Sequence, residues 1–306
     1  RATSETVGDL RRLPNFPDAP VAGVDVTPPW KALWDILSPV AMSEFGANQI
    51  ALVTGTRPEM VYHGVDSEQF RPVSRERPLY IGDHKLRSRE DCKRMFGADK
   101  RALWMLRTDR HMPRKRYASL YRALAPVLAA RRDAFLITHC RTDDQGGNLD
   151  DLASKYPEGI RSRILNTGFH NQMGGASRDI LTALYNAADV YVSVGSEGFG
   201  LTIAEAVACG TPAVGMDYSS VPEVIGPAGI VVSPIGLIDN EYDHAWAAVD
   251  EPAFGKAVYD LLGDEPRRRA LGREGPPHVK ANFSWTVAAA HFARIIATRA
   301  SSEVAA

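Results

Sequence analysis

From about residue 100 onward, short β-rich apolar runs alternate with longer amphipathic stretches. This alternation is typical of βαβ units, in which crossover helices join parallel strands. The predicted strands are residues 102–106, 134–139, 163–165, 190–194, 213–216 and 230–232. The predicted helices are residues 117–130, 149–155, 179–187, 203–208 and 252–262. The pattern therefore predicts an α/β domain with a doubly wound parallel sheet and right-handed crossovers.

The first 100 residues follow a different pattern. Apolar runs at residues 20–26 and 38–43 predict two strands, and a helix is predicted over residues 45–54. The turn-rich stretch 67–78 predicts a linker, and the last amphipathic segment, 285–299, predicts a separate terminal helix. A chain of 306 residues with 44% apolar composition is long enough for two domains.

The composition argues against several classes of partner. Lys and Arg number 36 against 37 Asp and Glu, so no overall positive charge draws the chain to nucleic acid or an anionic membrane. The spacing of Cys92, Cys140 and Cys209 matches no disulfide or zinc pattern, which predicts buried, reduced thiols in a cytosolic protein. We find no apolar run near the roughly 18 residues of a membrane span, and no signal-peptide core. Because the chain begins at Arg1 rather than Met, we expect truncation or processing there.

Two glutamates bracket a glycine turn in SEGFGLTIAEAV, residues 196–207. The run VYVSVG before it predicts a strand and LTIAEAVAC predicts a helix, so the turn lies where open α/β sheets bind ligands. Gly198 and Gly200 let the backbone approach a ligand, and the amides of the helix start attract an anion such as phosphate. Glu197 and Glu205 would then accept hydrogen bonds from a sugar and a ribose. Their spacing alone fits two solvated glutamates equally well.

A second loop, RTDRHMPRKR at residues 107–116, follows the predicted strand ALWML. A diphosphate carries about two negative charges that require cations nearby. Arg110 and Lys115, which flank Pro113, are candidates for this task on the same edge of the sheet. The alternative is a solvated basic surface.

Several motifs, in order, resemble those of retaining GT-B glycosyltransferases of family 4, the glycosyl transferases group 1. EGFGLTIAE resembles the E-x7-E motif, with Glu197 and Glu205 as its glutamates. YHGVDSEQFRP resembles the interdomain segment of the family, and DRHMPRKR resembles its phosphate loop. LYNAADVYVSVGSEGFG, SSVPEVIGPAGIVV and FSW also match, so the resemblance covers most of the chain.

The resemblance implies a role for each candidate. Arg110 and Lys115 would bind the donor diphosphate and stabilise the leaving group, and these two residues and Glu197 are the catalytic candidates. Glu197 would bond hydroxyls of the transferred sugar, and Glu205 would hold the ribose. The other donor-binding candidates, which offer backbone amides or a hydroxyl or lie by the base, are Gly198, Phe199, Gly200, Leu201, Thr202, Phe169 and His170. We expect His170 to have a structural or ligand-edge role rather than a catalytic one.

The resemblance also implies a GT-B fold with two Rossmann-like domains, the first only partly present. Residues 1–73 would be the end of an N-terminal, acceptor-side domain with its linker. Residues 74–284 would form a complete nucleotide-sugar-binding domain, and residues 285–306 a helix crossing back to the N-terminal part. Because the missing part includes the acceptor site, the activity of this chain alone is left open.

The implied reaction is retaining transfer of a hexose-type sugar from a nucleoside-diphosphate sugar to an acceptor hydroxyl of a glycan, lipid, protein or small molecule. The chain has no strict D-x-D motif, in agreement with metal-independent chemistry without a cofactor. The expected location is cytoplasmic, which leaves peripheral membrane contact open. One alternative is a catalytically silent GT-B module that binds nucleotide sugar or acts as a partner subunit. A dinucleotide oxidoreductase is disfavoured because Gly195, Gly198 and Gly200 lack the G-x-G-x-x-G spacing.

Overall fold

The computed structural model of the chain describes residues 18–19, 39–169, 174–239 and 245–304. The strand predicted at residues 20–26 and His170 lie outside the described residues. The strands, in chain order, are β1 (Asp18–Ala19), β2 (Val40–Ala41), β3 (Glu59–Met60), β4 (Leu79–Ile81), β5 (His84–Leu86), β6 (Leu103–Arg107), β7 (Ala134–Thr138), β8 (Asp143–Asp144), β9 (Gly147–Asn148), β10 (Ile164–Asn166), β11 (Val190–Ser193), β12 (Ala213–Met216), β13 (Gly229–Val232), β14 (Gly236–Asp239) and β15 (Ala245–Ala248).

The α-helices of the described ranges follow the same chain order. They are α1 (Glu44–Thr54), α2 (Arg89–Met95), α3 (Tyr117–Ala130), α4 (Leu149–Ser154), α5 (Glu158–Arg161), α6 (Arg178–Ala187), α7 (Leu201–Ala208), α8 (Val221–Ile225), α9 (Glu251–Gly263), α10 (Glu265–Asn282) and α11 (Trp285–Val304). Short 3-10 helices at Pro113–Lys115 and Gly226–Ala228 precede α3 and β13.

Six parallel strands form the main sheet, in the order β10-β7-β6-β11-β12-β13. Counted along the chain, this is the order 3-2-1-4-5-6 of the doubly wound Rossmann arrangement. All six strands predicted from residue 100 onward are present, with ends that differ by no more than one residue. The structure therefore confirms the predicted α/β class and the doubly wound parallel sheet.

The core lies on both faces of this sheet, because neighbouring residues of a strand point to opposite sides. In β6, Trp104 and Leu106 belong to one buried apolar cluster and Met105 belongs to the other. The first cluster includes side chains of α6 and α7, and the second includes side chains of α3 and α9. Helices on both faces explain why the strands are continuous apolar runs rather than alternating ones.

The N-terminal described residues form a smaller unit. Here β1, β2 and β3 pair in parallel, and α1 follows β2. The strand predicted over residues 38–43 is reduced to Val40–Ala41. Residues 67–78 contain neither helix nor strand, as expected of a linker. Three antiparallel hairpins, β4 with β5, β8 with β9 and β14 with β15, were absent from the sequence prediction.

Helix α10 was also missed, because its sequence includes GREGPPHVK, and glycine and proline normally end helices. The structure explains the glycines by close packing on α7 and on Gly210, which follows the end of α7. A Cβ atom added to Gly272 would lie 2.4 Å from the Gly210 carbonyl oxygen, and one added to Gly275 would lie 2.3 Å from the Val207 carbonyl oxygen. The two helices can approach this closely only where no side chain intervenes.

The beginning of α11 lies against the N-terminal described residues. The amide of Val65 donates to the carbonyl of Phe283 at 2.6 Å, and a Cβ atom on Gly64 would lie 2.2 Å from the Trp285 ring. The division of the chain into domains at residues 73 and 284 stays a prediction.

Within the described ranges, none of the helices combines the length and the apolar composition that a membrane span requires.

The contact of α10 with α7 leads to a prediction. We expect Gly275→Ala to lower the free energy of unfolding by about 1–3 kcal/mol, because the new methyl group overpacks against the Val207 backbone. The matched control is Gly159→Ala in α5, where no heavy atom lies within 4 Å of an added Cβ and alanine should be neutral or stabilising. Chemical denaturation of both variants measures the difference. Equal stability changes would contradict this account of α10.

Candidate functional site

The strand order determines where a ligand can bind. Strands β6 and β11 are neighbours at the centre of the sheet, where the order of the strands reverses. In open α/β sheets, ligands bind in the crevice at the carboxyl ends of the strands at this switch point. The basic loop 108–116 follows β6, and the glycine loop 194–200 follows β11. The two loops singled out from the sequence therefore meet at this crevice.

A buried ion pair joins the two loops. The Lys115 ammonium donates to both carboxylate oxygens of Glu197, at 2.5 and 2.6 Å, and to Oδ1 of Asp109 at 2.7 Å. All three side chains are buried, and only 4% of Glu197 is exposed. The structure thus brings together two of the three predicted catalytic residues, Lys115 and Glu197.

The cluster extends to two arginines that the sequence reasoning missed. Arg107 is fully buried, and its guanidinium contacts Oδ2 of Asp109 at 2.7 Å and donates to the carbonyl of Val192 at 3.1 Å. Although burial by itself raises the pKa of Asp109, the charges of Arg107 and Lys115 lower this pKa to about 2. Asp109 is therefore ionised at neutral pH and holds Lys115 in place.

Arg114 is the second of these arginines. It donates to the carbonyl of Ser196 at 2.8 Å and to Oε2 of Glu197 at 3.2 Å. The two loops can approach this closely because residue 195 is glycine. A Cβ atom on Gly195 would lie 3.0 Å from the Lys115 Cα atom and 3.1 Å from the Arg107 guanidinium. The sequence signal was the basic stretch 107–116, which contains Arg107 at the end of β6 and Asp109 and Arg114 in the loop. Sequence alone did not tell which of these side chains turn inward.

The glycine loop leads directly into α7. Gly198, Phe199 and Gly200 are buried, and Gly200, with a φ of 104°, is the N-cap residue of the helix. Left-handed backbone of this kind favours glycine.

No side chain caps α7, and in its first turn the amides of Ile203 and Ala204 already donate to the Gly200 carbonyl at 3.0 Å. The amides that precede them, those of Leu201 and Thr202, are the ones that a ligand at the helix start could use. Leu201, in that turn, has an exposed side chain.

Two predicted donor-binding side chains have other contacts. The Thr202 hydroxyl accepts from the Tyr191 hydroxyl at 2.8 Å and lies 3.4 Å from Oδ1 of Asp109, so it adjoins the ion-pair cluster. The Phe199 ring is buried and packs 5.3 Å from the Phe283 ring and 5.5 Å from the His63 ring, between centroids. Phe199 can therefore offer only its backbone to a ligand in this crevice.

Glu205 lies one helical turn beyond Leu201. Its carboxylate accepts a hydrogen bond from the Tyr185 hydroxyl at 2.7 Å. Burial raises the pKa of Glu205 to about 7, although the Tyr185 hydrogen bond works in the opposite direction. In this structure Glu205 thus changes its charge near neutral pH, and its hydrogen-bonding capacity is only partly used.

The structure does not place Arg110 in the cluster. Its guanidinium makes two hydrogen bonds to Asp144, at 2.8 and 3.0 Å, and 63% of its side chain is exposed.

Phe169 lies in the segment after β10, and the centroid of its ring is 6.1 Å from that of the His139 ring. The Nδ1 atom of His139 in turn lies 2.7 Å from the Thr167 hydroxyl. Among the described residues, no three His, Cys, Asp or Glu side chains form a group that could hold a metal ion.

The chain is similar to known proteins over most of its length. It is 25% identical over 251 residues to the GDP-mannose-dependent monoacylated alpha-(1-6)-phosphatidylinositol monomannoside mannosyltransferase of Corynebacterium glutamicum, covering 80% of this chain and 58% of that protein. It is 30% identical over 255 residues to the D-inositol 3-phosphate glycosyltransferase of Thermomonospora curvata, covering 80% of this chain and 53% of the relative. The chain thus spans little more than half of the length of these two relatives.

The fold is similar to that of Anabaena HepE, solved in complex with UDP and glucose. The TM-score is 0.69 at 14% identity, and the match covers 98% of this chain and 76% of HepE. This likeness agrees with the GT-B type of α/β fold predicted from the sequence. The sequence pattern of the glycosyl transferases group 1 family matches residues 99–264. Because this match extends over more than half of the chain, the chain belongs to the glycosyl transferases group 1 family.

Proposed function

We propose that this chain is the nucleotide-sugar-binding part of a retaining glycosyltransferase, which moves a hexose-type sugar from a nucleoside-diphosphate sugar to an acceptor hydroxyl. One observation carries the proposal. The Lys115 ammonium is buried between Asp109 and Glu197, beside the uncapped start of α7 at the switch point of the sheet. A fixed cation next to the amino-terminal amides of a helix suits a diphosphate.

The donor would lie along the crevice with its diphosphate at the start of α7. The amides of residues 198–202 and the ammonium of Lys115 would contact phosphate oxygens. In the free protein Glu197 occupies two hydrogen bonds of Lys115. A diphosphate would take over at least one of them, which releases the Glu197 carboxylate to accept from a sugar hydroxyl. Arg110 would leave Asp144 to add a second cation.

The other end of the donor would lie beside Glu205. A carboxylate that accepts one hydrogen bond from Tyr185 can accept two more from the ribose hydroxyls. The base would lie by the loop of Phe169 and His170. The relative from Corynebacterium glutamicum is named for GDP-mannose, and HepE was solved with UDP and glucose, which supports a nucleoside-diphosphate hexose as the class of donor.

The chemistry would proceed on one face of the sugar. The acceptor oxygen would bond to the anomeric carbon on the side from which the bond to the phosphate oxygen breaks, and the leaving diphosphate would take up the acceptor proton. Lys115, Arg110 and the α7 amides would stabilise the charge that grows on the diphosphate. Since fixed cations do this work, we expect no metal requirement. Glu197 would bond the sugar more strongly as charge builds on its ring.

A catalytically silent module that binds nucleotide sugar is the second candidate. It is favoured by the position of Arg110, which bonds to Asp144 outside the cluster of Lys115 and Glu197. Turnover of the donor in the presence of acceptors, compared with donor binding, separates the two candidates. The name of the relative from Corynebacterium glutamicum includes a phosphatidylinositol monomannoside, which supports peripheral membrane contact as a proposal for this chain, and the cytoplasmic location stays a prediction from the sequence.

The proposed role of Lys115 gives a direct prediction. Lys115→Gln should weaken the binding of nucleoside diphosphate by about 1–3 kcal/mol, because a charge-assisted hydrogen bond to phosphate is lost. Arg110→Ala should weaken it in the same direction. Nucleoside binding should change little in either variant, and Lys256→Gln on the surface of α9 is the control. Equal losses for nucleoside and diphosphate, measured by calorimetric titration, would mean that these residues support the fold instead.

The two glutamates should separate in a second experiment. Glu205→Gln should lower the affinity for free nucleotide and for intact donor alike, because the ribose is common to both. Glu197→Gln should leave free-nucleotide affinity almost unchanged and lower the transfer rate. Titration with nucleoside diphosphate and kinetics with intact donor provide the two readouts. If Glu197→Gln loses as much free-nucleotide affinity as Glu205→Gln, the assignment is wrong.

The pKa of Glu205 predicts a pH dependence of stability. Its pKa rises from 4.5 to about 7 on folding. The native state therefore holds a proton that the unfolded state releases, and the resulting stability is present below pH 4.5 and is lost as the pH rises through about 7. Glu205→Gln cannot ionise at this position, so its free energy of unfolding should not fall in this way. Relative to the wild type, this free energy should rise by up to about 3 kcal/mol between pH 4.5 and about 7. Chemical denaturation of the wild type and of Glu205→Gln at a series of pH values measures the difference in the free energy of unfolding. If this free energy depends on pH in the same way in both proteins, the prediction is wrong.

A further inference from the structure

A short segment after β12 contacts the Glu197 loop. We call residues 218–223, which include the first residues of α8, the bridging segment. The amide of Glu197 donates to the Ser219 hydroxyl at 2.9 Å. The Ser220 hydroxyl lies 3.0 Å from the Glu197 carbonyl oxygen and 2.7 Å from that of Phe199, and can donate to either. Both serines are buried. Two hydroxyl groups therefore fix the backbone on either side of the Glu197 side chain.

Ser219 has a conformation that few non-glycine residues adopt. Its φ is 55°, in the left-handed region. Such a conformation persists only where the surrounding structure determines it. Here the Ser219 hydroxyl donates to the carbonyl of Tyr218 at 2.7 Å, which turns its lone pairs toward the Glu197 amide. The backbone of Ser219 is thus held in the geometry that supports Glu197.

The other end of the bridging segment holds α1. The Glu223 carboxylate accepts from the amides of Glu44 and Phe45, at 2.9 and 2.8 Å, and from the Tyr62 hydroxyl at 2.9 Å. The first amides of a helix lack partners within the helix and carry the positive end of its dipole, so a carboxylate is a favourable partner. The Phe45 ring also packs 5.5 Å from the Tyr218 ring, between centroids. Helix α1 is therefore bound to both ends of the segment.

We propose that the bridging segment couples the docking of α1 to the position of Glu197. Ser219 and Ser220 are positioning residues, and Glu223 holds α1 against the segment. When α1 leaves Glu223, the segment keeps the core packing of Val221 and of the adjacent Val224 but loses its contacts with α1, and the Glu197 loop becomes less ordered. The inference rests on the proposed function only in that Glu197 contacts the donor sugar. The sugar subsite is then complete only when the N-terminal unit is docked.

The test is backbone amide hydrogen exchange of the full chain, resolved to single residues. In Glu223→Gln, exchange at Glu44 and Phe45 should rise about fivefold to tenfold, as expected when a charge-assisted hydrogen bond is lost. The proposal predicts an increase at the Glu197 amide as well, although Glu197 does not touch residue 223 in the described hydrogen bonds. Faster exchange at Glu44 and Phe45 with an unchanged rate at Glu197 would overturn the coupling.

Two further variants test the coupling independently of Glu223→Gln. Tyr62→Phe removes one hydrogen bond to Glu223 and should cause smaller increases at the same amides, even if Glu223→Gln folds poorly. Ser219→Gly removes the hydroxyl but suits the left-handed backbone, so Glu197 exchange should rise without a loss of overall stability. Glu251→Gln at the start of α9, where Glu251 pairs with Arg122, is the matched control and should change none of these rates. An unchanged Glu197 rate in Ser219→Gly would overturn the role of Ser219.

A kinetic readout links the exchange data to the proposed function. Glu223→Gln should lower the rate of donor cleavage or transfer at saturating donor and leave the affinity for free nucleoside diphosphate unchanged. If the wild type binds no nucleotide sugar, the proposed function fails while the exchange result still stands. If the donor binds and Glu223→Gln weakens free-nucleotide affinity as much as it lowers the rate, the segment supports the whole site and the proposed coupling is wrong.

Discussion

The site depends on a buried row of alternating charges, in which Arg107 contacts Asp109, Asp109 contacts Lys115, and Lys115 contacts Glu197. Each buried ion costs several kcal/mol of hydration, so such a row is stable only when every member has partners with good geometry. The Lys115 ammonium meets this condition through its hydrogen bonds to Asp109 and Glu197. Arg107 meets it only in part, because it donates to a strand carbonyl and lies 2.7 Å from Oδ2 of Asp109, whereas its Nε atom and that Oδ2 atom make no hydrogen bond in the described structure. The row also keeps a charged ammonium at the centre of the crevice before any ligand arrives.

Several other features of the fold bring these charges together. The reversal of strand order places the loops after β6 and β11 side by side, and Gly195 allows them to touch. Close packing of α10 on α7, through Gly272 and Gly275, fixes the helix that begins at the glycine loop. The start of α7 and the ammonium of Lys115 are therefore held at one edge of the sheet, as the proposed stabilisation of a leaving diphosphate would require.

The sequence predicted much of this and failed in identifiable places. Parallel strands and amphipathic helices have strong local patterns, so the six strands and α3 were predicted closely. Helix α10 was missed because its glycines and prolines are explained only by tertiary packing. The pattern also drew attention to Lys115 and Glu197, since glycines and charges cluster in their loops, and their catalytic roles stay predictions. It could not tell that Arg107 turns inward and Arg110 outward to Asp144, because this depends on the neighbouring strand and hairpin.

The most direct test of the account is a crystal structure of the chain with an intact nucleotide sugar, selected by soaking a panel of uridine, guanosine and adenosine diphosphate sugars. The account predicts a diphosphate at the start of α7, with the Lys115 ammonium on a phosphate oxygen and still bonded to Asp109. Glu197 should then contact a sugar hydroxyl. A diphosphate bound elsewhere, with the pair of Lys115 and Glu197 unchanged from the free protein, would contradict it.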